Sequence, residues 1–443
     1  MIEIKELYNL FVQSGEITTD SRNCPAGSIF FALRGETFNG NLYAADAIRK
    51  GCAYAVVDDE SVKSKELEEA EPSVFERLLL VDDVLLTLQK LANYHRRQIG
   101  TTIIGVTGTN GKTTTKELIS AVLSKKFNVL YTQGNFNNHI GVPKTLLGLT
   151  RSHDIAVVEM GANHPGEIKT LVNIVEPNYG IITNVGKAHL LGFGSFEGVI
   201  RTKGELYDFI REHDGKVFIN ENNPYLMGIS SGLELIKYSN TDKLIDCSPY
   251  LKFDYEGNEV QTQLIGAYNI DNALAAATIG RYFGVPVEAI CDALREYVPS
   301  NNRSQLKKTE KNTLIIDAYN ANPTSMMAAL DNFSKMKAGN KMAVLGDMKE
   351  LGEASEEEHT KILKFLAENQ FEMVWLVGTE FRNAYEKNFG NVEGNASETD
   401  FAPSFFADAE QVKACLAEKG IEGKTILIKG SNSTRLFSLV DSF

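Results

Sequence analysis

The pattern of apolar and polar residues changes near residue 100 of this 443-residue chain. Before that point, short apolar runs such as SIFFAL and YAVVD alternate with turn glycines. A helical spacing of leucines then predicts a helix that Asp82 or Asp83 caps. After that point, apolar runs alternate with helical stretches, which is typical of strands buried in a parallel sheet. These runs are TTIIGV, DIAVVEM, YGIITNV and KVFIN, followed by LIIDAY, KMAVLGDM, MVWLVG and TILIKG. The pattern predicts an α/β fold with mainly parallel sheets.

The length of the chain exceeds what one hydrophobic core usually organises, so several domains are expected. We predict a small α/β N-terminal domain over residues 1–98, a central domain with a mainly parallel sheet over 99–300, and a C-terminal domain over 301–443. The last of these has the alternation of a Rossmann-type sheet, yet it contains no GxGxxG turn. Hinges are predicted near residues 99–101 and 299–303.

Charge and composition exclude several classes of partner. The formal net charge of -13 and the pI near 5.2 disfavour binding to nucleic acid. No apolar run reaches the length of about 18 residues that a membrane span needs, and the N-terminus lacks a signal-peptide pattern. The five cysteines contain no CxxC pair, which indicates reduced, mostly buried thiols. We therefore predict a cytoplasmic protein without a membrane partner.

The richest motif is the Gly-rich turn IGVTGTNGKTTTKE at residues 104–117, which follows an apolar strand. In a phosphate-binding loop, glycines turn backbone N–H groups toward phosphate oxygens, Lys112 reaches the β- and γ-phosphates, and Thr113 offers a hydroxyl to Mg²⁺. Val106 stands where the common GxxxxGK[ST] pattern has glycine, so this is the shorter GTNGKT form. The alternative is a strand-to-helix turn with an incidental lysine. We predict that ATP binds through Gly108, Thr109, Asn110, Gly111, Lys112, Thr113 and Thr114.

Further metal ligands are expected beyond the carboxyl ends of parallel strands, where open α/β sheets bind their ligands. Glu159 ends the strand DIAVVEM and offers the hard oxygen that Mg²⁺ prefers. His189 follows ITNVGKA after the next strand, although a hydrogen-bonded structural histidine is the alternative. Lys203, within GVIRTKGELYDF, has the spacing of a surface lysine on a helix. The predicted magnesium ligands from residue chemistry are thus Thr113, Glu159 and His189.

Two Asn-rich segments are candidate binding elements. TQGNFNNHIGVP offers Asn135, Asn137, Asn138 and His139 to a polar substrate, with simple turn chemistry as the alternative. GAYNIDNALAA opens a helix with Asn269 and Asn272, whose amides can read an adenine edge; the alternative is an N-cap on a core helix.

Two charged residues near the start of the C-terminal segment complete the predicted nucleotide site. Arg303 follows the second hinge, from which its guanidinium can clamp the γ-phosphate. Asp317 ends the strand LIIDAY, a position from which a carboxylate commonly takes ribose hydroxyls.

With these motifs in order, the whole chain resembles the Mur ligases of peptidoglycan synthesis. Within that family, TTTKE and DAYNANP resemble the branch that adds D-alanyl-D-alanine, and the DNPR string of the branch that adds the third amino acid is absent. Asn39 and Asn41 depart from the family pattern, which often has Asp and His there. The motifs that carry the resemblance are TDSR, GSIFFALRGETFNG, GTNGKTTTKE, GNFNNHIGVP, EMGANHPGEI, TNVGKAHLLGFGS, RTKGE, GAYNIDNALAA, DAYNANPTSM and LGDMKELG.

The resemblance implies an ATP- and Mg²⁺-dependent ligase that joins D-alanyl-D-alanine to UDP-N-acetylmuramoyl-tripeptide through an acyl phosphate, acting as a monomer. It implies that the N-terminal domain binds the UDP-sugar and that the central domain is the P-loop ATPase. Because sister ligases carry a carbamylated lysine at the matching position, it also makes Lys203 a modified Mg²⁺ ligand. The implied substrate-binding residues are Ser21, Arg22, Asn135, Asn138, Asn320 and Asn322, and the implied catalytic residues are Lys112, His189, Lys203 and Arg303.

Three other functions compete with this hypothesis. The nearest are the sister Mur ligase that adds the third amino acid and a folylpolyglutamate-type ligase, and the latter is disfavoured by the TDSR and FALRGE segments. A non-catalytic nucleotide-binding module is the alternative from a different class. It is disfavoured by the joint presence of Lys112, Thr113, Glu159, His189 and Arg303.

Overall fold

The computed structural model describes residues 1–299, 303–369, 371–390 and 401–443. The boundary expected between residues 300 and 301, and most of the second hinge, lie outside the described residues. The chain groups into two compact units by its internal contacts. The first unit comprises Met1–Gly105, Phe127–Gly161 and Lys169–Asn178, and the second comprises Val106–Lys126, Ala162–Ile168 and Tyr179–Phe443.

The N-terminal part of the first unit is built on a parallel sheet. Its strands lie in the order Ile17–Thr18, Ile29–Phe31, Tyr54–Val57 and Leu78–Leu80. Asp83 caps the long helix Val84–Ile99, as the sequence predicts, because its Oδ1 accepts the Leu86 N–H at 2.7 Å. The remaining helical segments here are Ile4–Ser14, Gly40–Tyr43, Ala44–Arg49, Glu60–Val62, Lys65–Ala70 and Pro72–Phe75.

The rest of the first unit contains two strands that matter for the site. Val129–Tyr131 pairs in parallel with the fully buried strand Ile155–Glu159, and the helix Gly141–Leu147 lies between them in the chain. The strand Thr102–Thr107 and the helix Glu167–Val175 each have residues in both units.

The second unit begins with the helix that follows the Gly-rich loop, Lys112–Leu123. The strands Tyr179–Ile182, Lys216–Asn220 and Glu234–Tyr238 pair in parallel. The apolar runs predict the first two of these strands, and the third was not predicted. An antiparallel sheet was not predicted; it is formed by Leu244–Asp246, Tyr250–Tyr255 and Asn258–Ile265. The helical segments of this part are Leu190–Phe193, Phe196–Glu212, Pro224–Gly228, Ala267–Asn269, Ile270–Tyr282 and Val287–Glu296.

A further sheet, called here the C-terminal sheet, ends the second unit. It is parallel except at one edge, where Gln305–Lys308 runs antiparallel to Thr313–Asp317. Apolar clusters cover both faces, one around Phe333 and Phe381 and the other around Trp375. The remaining strands, in spatial order, are Thr425–Lys429, Lys341–Gly346, Met373–Val377 and Ser404–Phe406, and the helical segments are Pro323–Lys335, Gly352–Ala354, Ser355–Glu368, Thr379–Phe389, Ala409–Lys419, Asn432–Thr434 and Leu436–Leu439.

Two other expectations can be compared with the fold. Over the described part of the chain, no helix is both long enough and apolar enough to cross a bilayer. All five cysteines are free thiols, but only Cys52 and Cys291 are buried, so the expectation of mostly buried thiols is wrong.

Candidate active site

The Gly-rich loop has the geometry of an anion cradle. Gly111 adopts a left-handed conformation with φ 75° at the N-cap of Lys112–Leu123, and no side chain caps that helix. The Lys112 ammonium donates to the carbonyl oxygens of Gly108 and Thr109 at 2.9 and 3.0 Å. Gly108 has φ 144°, and a Cβ there would strike the Thr183 hydroxyl. Only glycine fits this close turn, and the uncapped helix N-terminus suits a phosphate group.

The segment 183–186, which follows the strand Tyr179–Ile182, holds the loop in place. Asn184 accepts the Thr109 N–H through its carbonyl oxygen at 2.9 Å and the Asn110 N–H through its Oδ1 at 3.0 Å. The Thr183 hydroxyl donates to the Asn110 carbonyl at 2.6 Å. Sequence reasoning missed Thr183 and Asn184; their place at the carboxyl end of a parallel strand is the signal that could have identified them.

Asn269 and Asn272 lie behind the loop in a buried hydrogen-bond network. Asn272 Oδ1 accepts from the Thr115 hydroxyl at 2.9 Å, and its Nδ2 donates to Asn269 Oδ1 at 2.9 Å. Asn269 occupies the N-cap position of the helix Ile270–Tyr282, as the alternative predicts, but its side chain makes no capping hydrogen bond there. Thr113 is also buried. Adenine recognition by the two amides stays a prediction.

Lys203 is a buried lysine, contrary to the surface position that its spacing indicates. Its residue is only 2% exposed, and its Nζ donates to the Ala162 carbonyl at 3.1 Å and lies 5.2 Å from the centre of the Phe193 ring. No described carboxylate forms an ion pair with it. Burial, reinforced by the charge of Lys112, holds the pKa of the Lys203 amine well below its usual range. A lowered pKa increases the neutral, nucleophilic fraction of the amine.

His189 lies in the same charged environment. Its backbone is left-handed, with φ 50°, and its Nδ1 pairs with the Glu350 carboxylate. Burial lowers the pKa of the imidazole, the Glu350 charge opposes that effect, and the charges of Lys112 and Lys203 add to it. The structure thus brings three of the predicted catalytic residues, Lys112, His189 and Lys203, within electrostatic reach of one another.

Glu159 belongs to the first unit and has the chemistry of a metal ligand. The residue is 1% exposed, and its Oε1 accepts from Asn137 Nδ2 at 2.8 Å. Its buried Oε2 has no hydrogen-bond partner among the described residues. An unsatisfied buried carboxylate oxygen is costly without a cation, so this donor fits Mg²⁺. Sequence reasoning named Asn137 only as a candidate for hydrogen bonds to a polar substrate and missed its contact with the Glu159 carboxylate.

The other predicted metal ligands lie in the second unit, and joint coordination by all four residues stays a prediction. Histidine, cysteine and carboxylate side chains alone form no cluster of three or more in the described chain that could hold a metal ion. This result leaves the predicted set open, because that set also uses a threonine hydroxyl and a modified lysine.

Asp317 and Arg303 both have partners near the C-terminal sheet. The Asp317 carboxylate accepts from the buried Lys429 ammonium at 2.5 Å. The Arg303 guanidinium lies 3.8 Å from the centre of the Tyr319 ring, and its buried Nε has no hydrogen-bond partner in the part of the chain that is described. Ribose binding by Asp317 and γ-phosphate binding by Arg303 stay predictions.

A polar cavity of about 140 Å³ opens beside His189. The lining of the cavity includes the positively charged side chain of Lys349. The Lys349 ammonium also pairs with the buried Asp347 carboxylate at 3.2 Å. The sequence prediction missed Lys349, although the LGDMKELG motif that contains it begins at the end of the strand Lys341–Gly346. The cavity is lined by Ala188, His189, Asn320, Ala321, Asn322, Lys349, Glu350, Ser431, Asn432 and Ser433.

In the first unit, the TDSR turn is structurally constrained. The carbonyl of the buried Ser21 accepts from the Lys50 ammonium at 2.8 Å. The exposed Arg22 pairs with Asp20 at 2.8 Å, and its hydrogen bonds lower the pKa of the Asp20 carboxyl to about 2. Because 88% of the Arg22 side chain is exposed, it remains accessible to an anionic substrate. Substrate binding by Arg22 stays a prediction.

The two departures from the family pattern have a structural role. Asn41 Nδ2 donates to Asp58 Oδ1 at 2.8 Å, and Asn41 Oδ1 accepts the Asp58 N–H at 3.0 Å. Asn39 Oδ1 accepts the Asn41 N–H and caps the helical turn Gly40–Tyr43. These amides fix the loop in the absence of Asp and His.

The Asn-rich loop combines turn chemistry with an accessible surface. Asn138 Oδ1 accepts the N–H groups of Ile140 and Gly141 at 3.1 and 2.8 Å, at the start of the helix Gly141–Leu147. Asn135 is exposed, and its carbonyl accepts the Asn137 N–H at 2.8 Å. The turn alternative accounts for the Asn138 side chain, and substrate binding by either residue stays a prediction.

Comparison with known proteins identifies the family of this arrangement. Three family models match: "Mur ligase family, catalytic domain" over residues 15–96, "Mur ligase middle domain" over 106–280, and "Mur ligase, glutamate ligase domain" over 302–432. The UDP-N-acetylmuramoyl-tripeptide–D-alanyl-D-alanine ligase of Bacillus subtilis is 34% identical over 96% of this chain and 92% of its own length.

Two solved structures have the same fold. A crystal structure of MurF from Acinetobacter baumannii matches with a TM-score of 0.82 and 29% identity, covering 96% of this chain and 92% of that one. The MurF ligase of Thermotoga maritima in complex with ADP matches with a TM-score of 0.81 and 25% identity, covering 100% of this chain and 98% of that one. Both support the predicted α/β fold.

Proposed function

Since this chain belongs to the Mur ligase family, we propose that it is an ATP-dependent ligase that joins D-alanyl-D-alanine to UDP-N-acetylmuramoyl-tripeptide. The product is the UDP-linked pentapeptide precursor of peptidoglycan. The observation that carries this function is the convergence of the loop lysine Lys112, the buried amine of Lys203 and the imidazole of His189. His189 also lines the polar cavity described above.

The reaction needs activation because a carboxylate is a poor electrophile for an amine. The terminal carboxylate of the tripeptide attacks the γ-phosphorus of ATP, ADP leaves, and an acyl phosphate forms. The amine of D-alanyl-D-alanine then attacks the acyl carbon, and phosphate leaves as the amide bond forms. No protein nucleophile takes part, so the chain contributes orientation and charge, which can supply roughly 7–11 kcal/mol of barrier reduction.

Lys112 is the cation best placed to meet the transferred phosphoryl group. Its ammonium now donates to two carbonyl oxygens of the loop, and these bonds can be exchanged for stronger charge-assisted bonds to phosphate oxygens. Bound Mg²⁺ supplies further neutralisation of phosphate charge. We propose that Thr113, Glu159, His189 and Lys203 hold it.

We propose that Lys203 is carbamylated, a modification that its lowered pKa favours. The neutral amine adds to the carbon of CO₂, an N–C bond forms, one proton leaves to solvent, and the nitrogen then carries a carboxylate group. This change replaces a buried amine with two oxygens that can bind a cation, which is the chemistry expected of a Mg²⁺ ligand.

We assign the cavity beside His189 to the acceptor dipeptide. Lys349 faces the cavity and can pair with the terminal carboxylate of D-alanyl-D-alanine, and Asn320 offers an amide to its peptide group. Ser21, Arg22, Asn135 and Asn138 are proposed contacts of the UDP-tripeptide. Asn269, Asn272, Arg303 and Asp317 are proposed contacts of ATP.

The expectations for the domain boundaries, the cellular location and the oligomeric state remain proposals. The division at residues 98 and 300 into three domains is supported by the separate ranges of the three family models. A cytoplasmic location is supported by the use of ATP and a UDP-linked substrate. A monomer is the proposed oligomeric state.

A phosphate-release assay tests the function. UDP-N-acetylmuramoyl-tripeptide and ATP are supplied with D-alanyl-D-alanine, meso-diaminopimelate, L-lysine or L-glutamate as the amine. We expect phosphate and pentapeptide to appear only with D-alanyl-D-alanine. Turnover with another amine, on the UDP-dipeptide or a folate, would support a sister ligase instead, and ATP binding without turnover on any substrate would support the non-catalytic module.

A further inference from the structure

The amide of Asn322 forms a reciprocal pair with the phosphate-binding loop. Asn322 Nδ2 donates to Asn110 Oδ1 at 2.7 Å, and Asn110 Nδ2 donates back to Asn322 Oδ1 at 3.4 Å. Asn110 lies between Thr109 and Gly111 in the phosphate-binding loop. Asn322 lies between the strand Thr313–Asp317 of the C-terminal sheet and the helix Pro323–Lys335. The pair joins two segments 212 residues apart in the chain.

The Asn322 side chain also caps the helix Pro323–Lys335. Its Oδ1 accepts the Ser325 N–H at 2.9 Å, and the Ser325 hydroxyl accepts the Asn322 N–H at 3.1 Å. This capping box fixes the start of the helix Pro323–Lys335. The cap uses the oxygen of the Asn322 amide, so the nitrogen remains available to Asn110. A cap alone does not require that nitrogen, because serine and aspartate cap as well as asparagine.

The Asn110 side chain depends on Asn322 alone in the described chain. The Asn110 N–H and carbonyl are taken by Asn184 and Thr183. Within residues 1–299, 303–369, 371–390 and 401–443, the only hydrogen bonds of its side-chain amide are those to Asn322. The rotamer of Asn110, in the middle of the phosphate-binding loop, is thus set from the C-terminal sheet.

The segment after the strand Tyr179–Ile182, which holds the loop, also contacts the helices and loops that flank the C-terminal sheet. Lys187 pairs with Glu358 at 2.8 Å, and His189 pairs with Glu350. A Cβ on Gly186 would lie 2.9 Å from the Thr324 hydroxyl, so these two segments approach closely. Both segments that build the phosphate site therefore contact helices and loops that flank the C-terminal sheet, and the asparagine pair is the contact made by the loop itself.

We propose that the Asn110–Asn322 pair is a latch that couples the geometry of the phosphate-binding loop to the seating of the C-terminal sheet. Asn322 is then a positioning residue that acts through Asn110, and this role replaces direct substrate binding by Asn322. The inference rests on the proposed ligase function, because it concerns the loop that activates ATP. The latch makes ATP cleavage depend on the segment that also lines the acceptor cavity.

The test uses a variant that keeps the cap and removes the latch. Asn322→Ser retains an oxygen for the Ser325 N–H and loses the amide nitrogen. Asn223→Ser is the matched control, because Asn223 also caps a helix that begins with proline, Pro224–Gly228, and its Oδ1 accepts the Leu226 N–H at 3.2 Å. We expect Asn322→Ser to lower kcat about tenfold and Asn223→Ser to change it less than about twofold. The KM for D-alanyl-D-alanine and for the UDP-tripeptide should stay near the wild-type values.

A double-mutant cycle separates the latch from a purely structural effect. Asn110→Ser removes the other half of the pair, and we expect it to lower kcat by about the same factor, with no further loss in the double variant. Multiplied losses in the double variant, an Asn322→Ser enzyme with normal kcat, or an Asn322→Ser effect confined to the KM of a peptide substrate would each overturn the latch. An inactive wild-type enzyme would instead refute the proposed function, so the two failures are distinguishable.

Discussion

Replacing Lys203 with methionine should make the protein more stable and inactive at the same time. The methionine side chain has a similar length and no amine, so it can fill the buried site beside Phe193 without the cost of desolvating a charge. Wild-type Lys203 has one hydrogen bond, to a carbonyl, and no carboxylate partner among the residues described. From the range found when buried charges are replaced by apolar groups, we expect a gain of about 1–4 kcal/mol in the free energy of unfolding.

The gain should depend on pH with a definite sign. The pKa of Lys203 in the folded protein is well below the ordinary lysine value of 10.5, so the unfolded chain binds more protons between the two values. The stability of the wild type therefore rises with pH across that window, and the methionine variant lacks this rise. The advantage of the variant should be largest at or below the folded pKa and should shrink as the pH approaches 10.5.

Thermal and urea unfolding in bicarbonate-free buffer measure the gain, and phosphate release measures the activity. Lys429→Met is the matched control, since Lys429 is equally buried but pairs with Asp317. Loss of that partner should destabilise the fold by about 3 kcal/mol. If Lys203→Met were destabilising to a similar extent, or if it retained normal ligase activity, Lys203 would be a structural residue and its proposed role as a modified Mg²⁺ ligand would be refuted.

Three further predictions concern the other parts of the site. Lys112→Ala should abolish ATP-dependent ligation while calorimetry still detects binding of the UDP-tripeptide; substantial remaining turnover would contradict the loop assignment. Asn137→Ala should raise the Mg²⁺ concentration for half-maximal activity about 10–100-fold, because it releases the carboxylate of Glu159; an unchanged Mg²⁺ titration would argue against Glu159 as a ligand. Lys349→Ala should raise the KM for D-alanyl-D-alanine about tenfold or more with little change in the KM for ATP. A raised KM for ATP with an unchanged KM for the dipeptide would refute the assignment of this cavity to D-alanyl-D-alanine.

The strands and the phosphate-binding loop could be predicted because they follow local rules. Apolar runs such as DIAVVEM are long enough to identify buried strands, and the order of Gly108, Gly111 and Lys112 has one well-known use. The antiparallel sheet of Leu244–Asp246, Tyr250–Tyr255 and Asn258–Ile265 was missed because its alternating pattern is short and partly polar. Its burial alternates along Tyr250–Tyr255, which a search for continuous apolar runs overlooks.

The residues that support the site from behind could not be predicted, because they are distant in sequence and come into contact only in the folded chain. Asn184 holds a loop that lies 74 residues earlier, and no local pattern marks it as a partner of Asn110. Lys203 shows the limit most clearly, since its spacing on Phe196–Glu212 indicates a surface position and only tertiary packing buries it. The resemblance to a family favours an interior role for Lys203 that residue periodicity does not indicate; the structure shows its burial, and its role as a Mg²⁺ ligand stays a prediction.

The cavity beside His189 also restricts the inhibitors that can occupy it. Its volume of about 140 Å³ and its lining of asparagine, serine, lysine and glutamate side chains favour small, strongly hydrogen-bonding molecules. Such compounds have few heavy atoms, so the affinity available from this cavity alone is limited. An inhibitor that extends from the cavity past Asn322 to Asn110 would gain contacts in two places. It would also disturb the asparagine pair, so one molecule could compete with the dipeptide and distort the ATP loop.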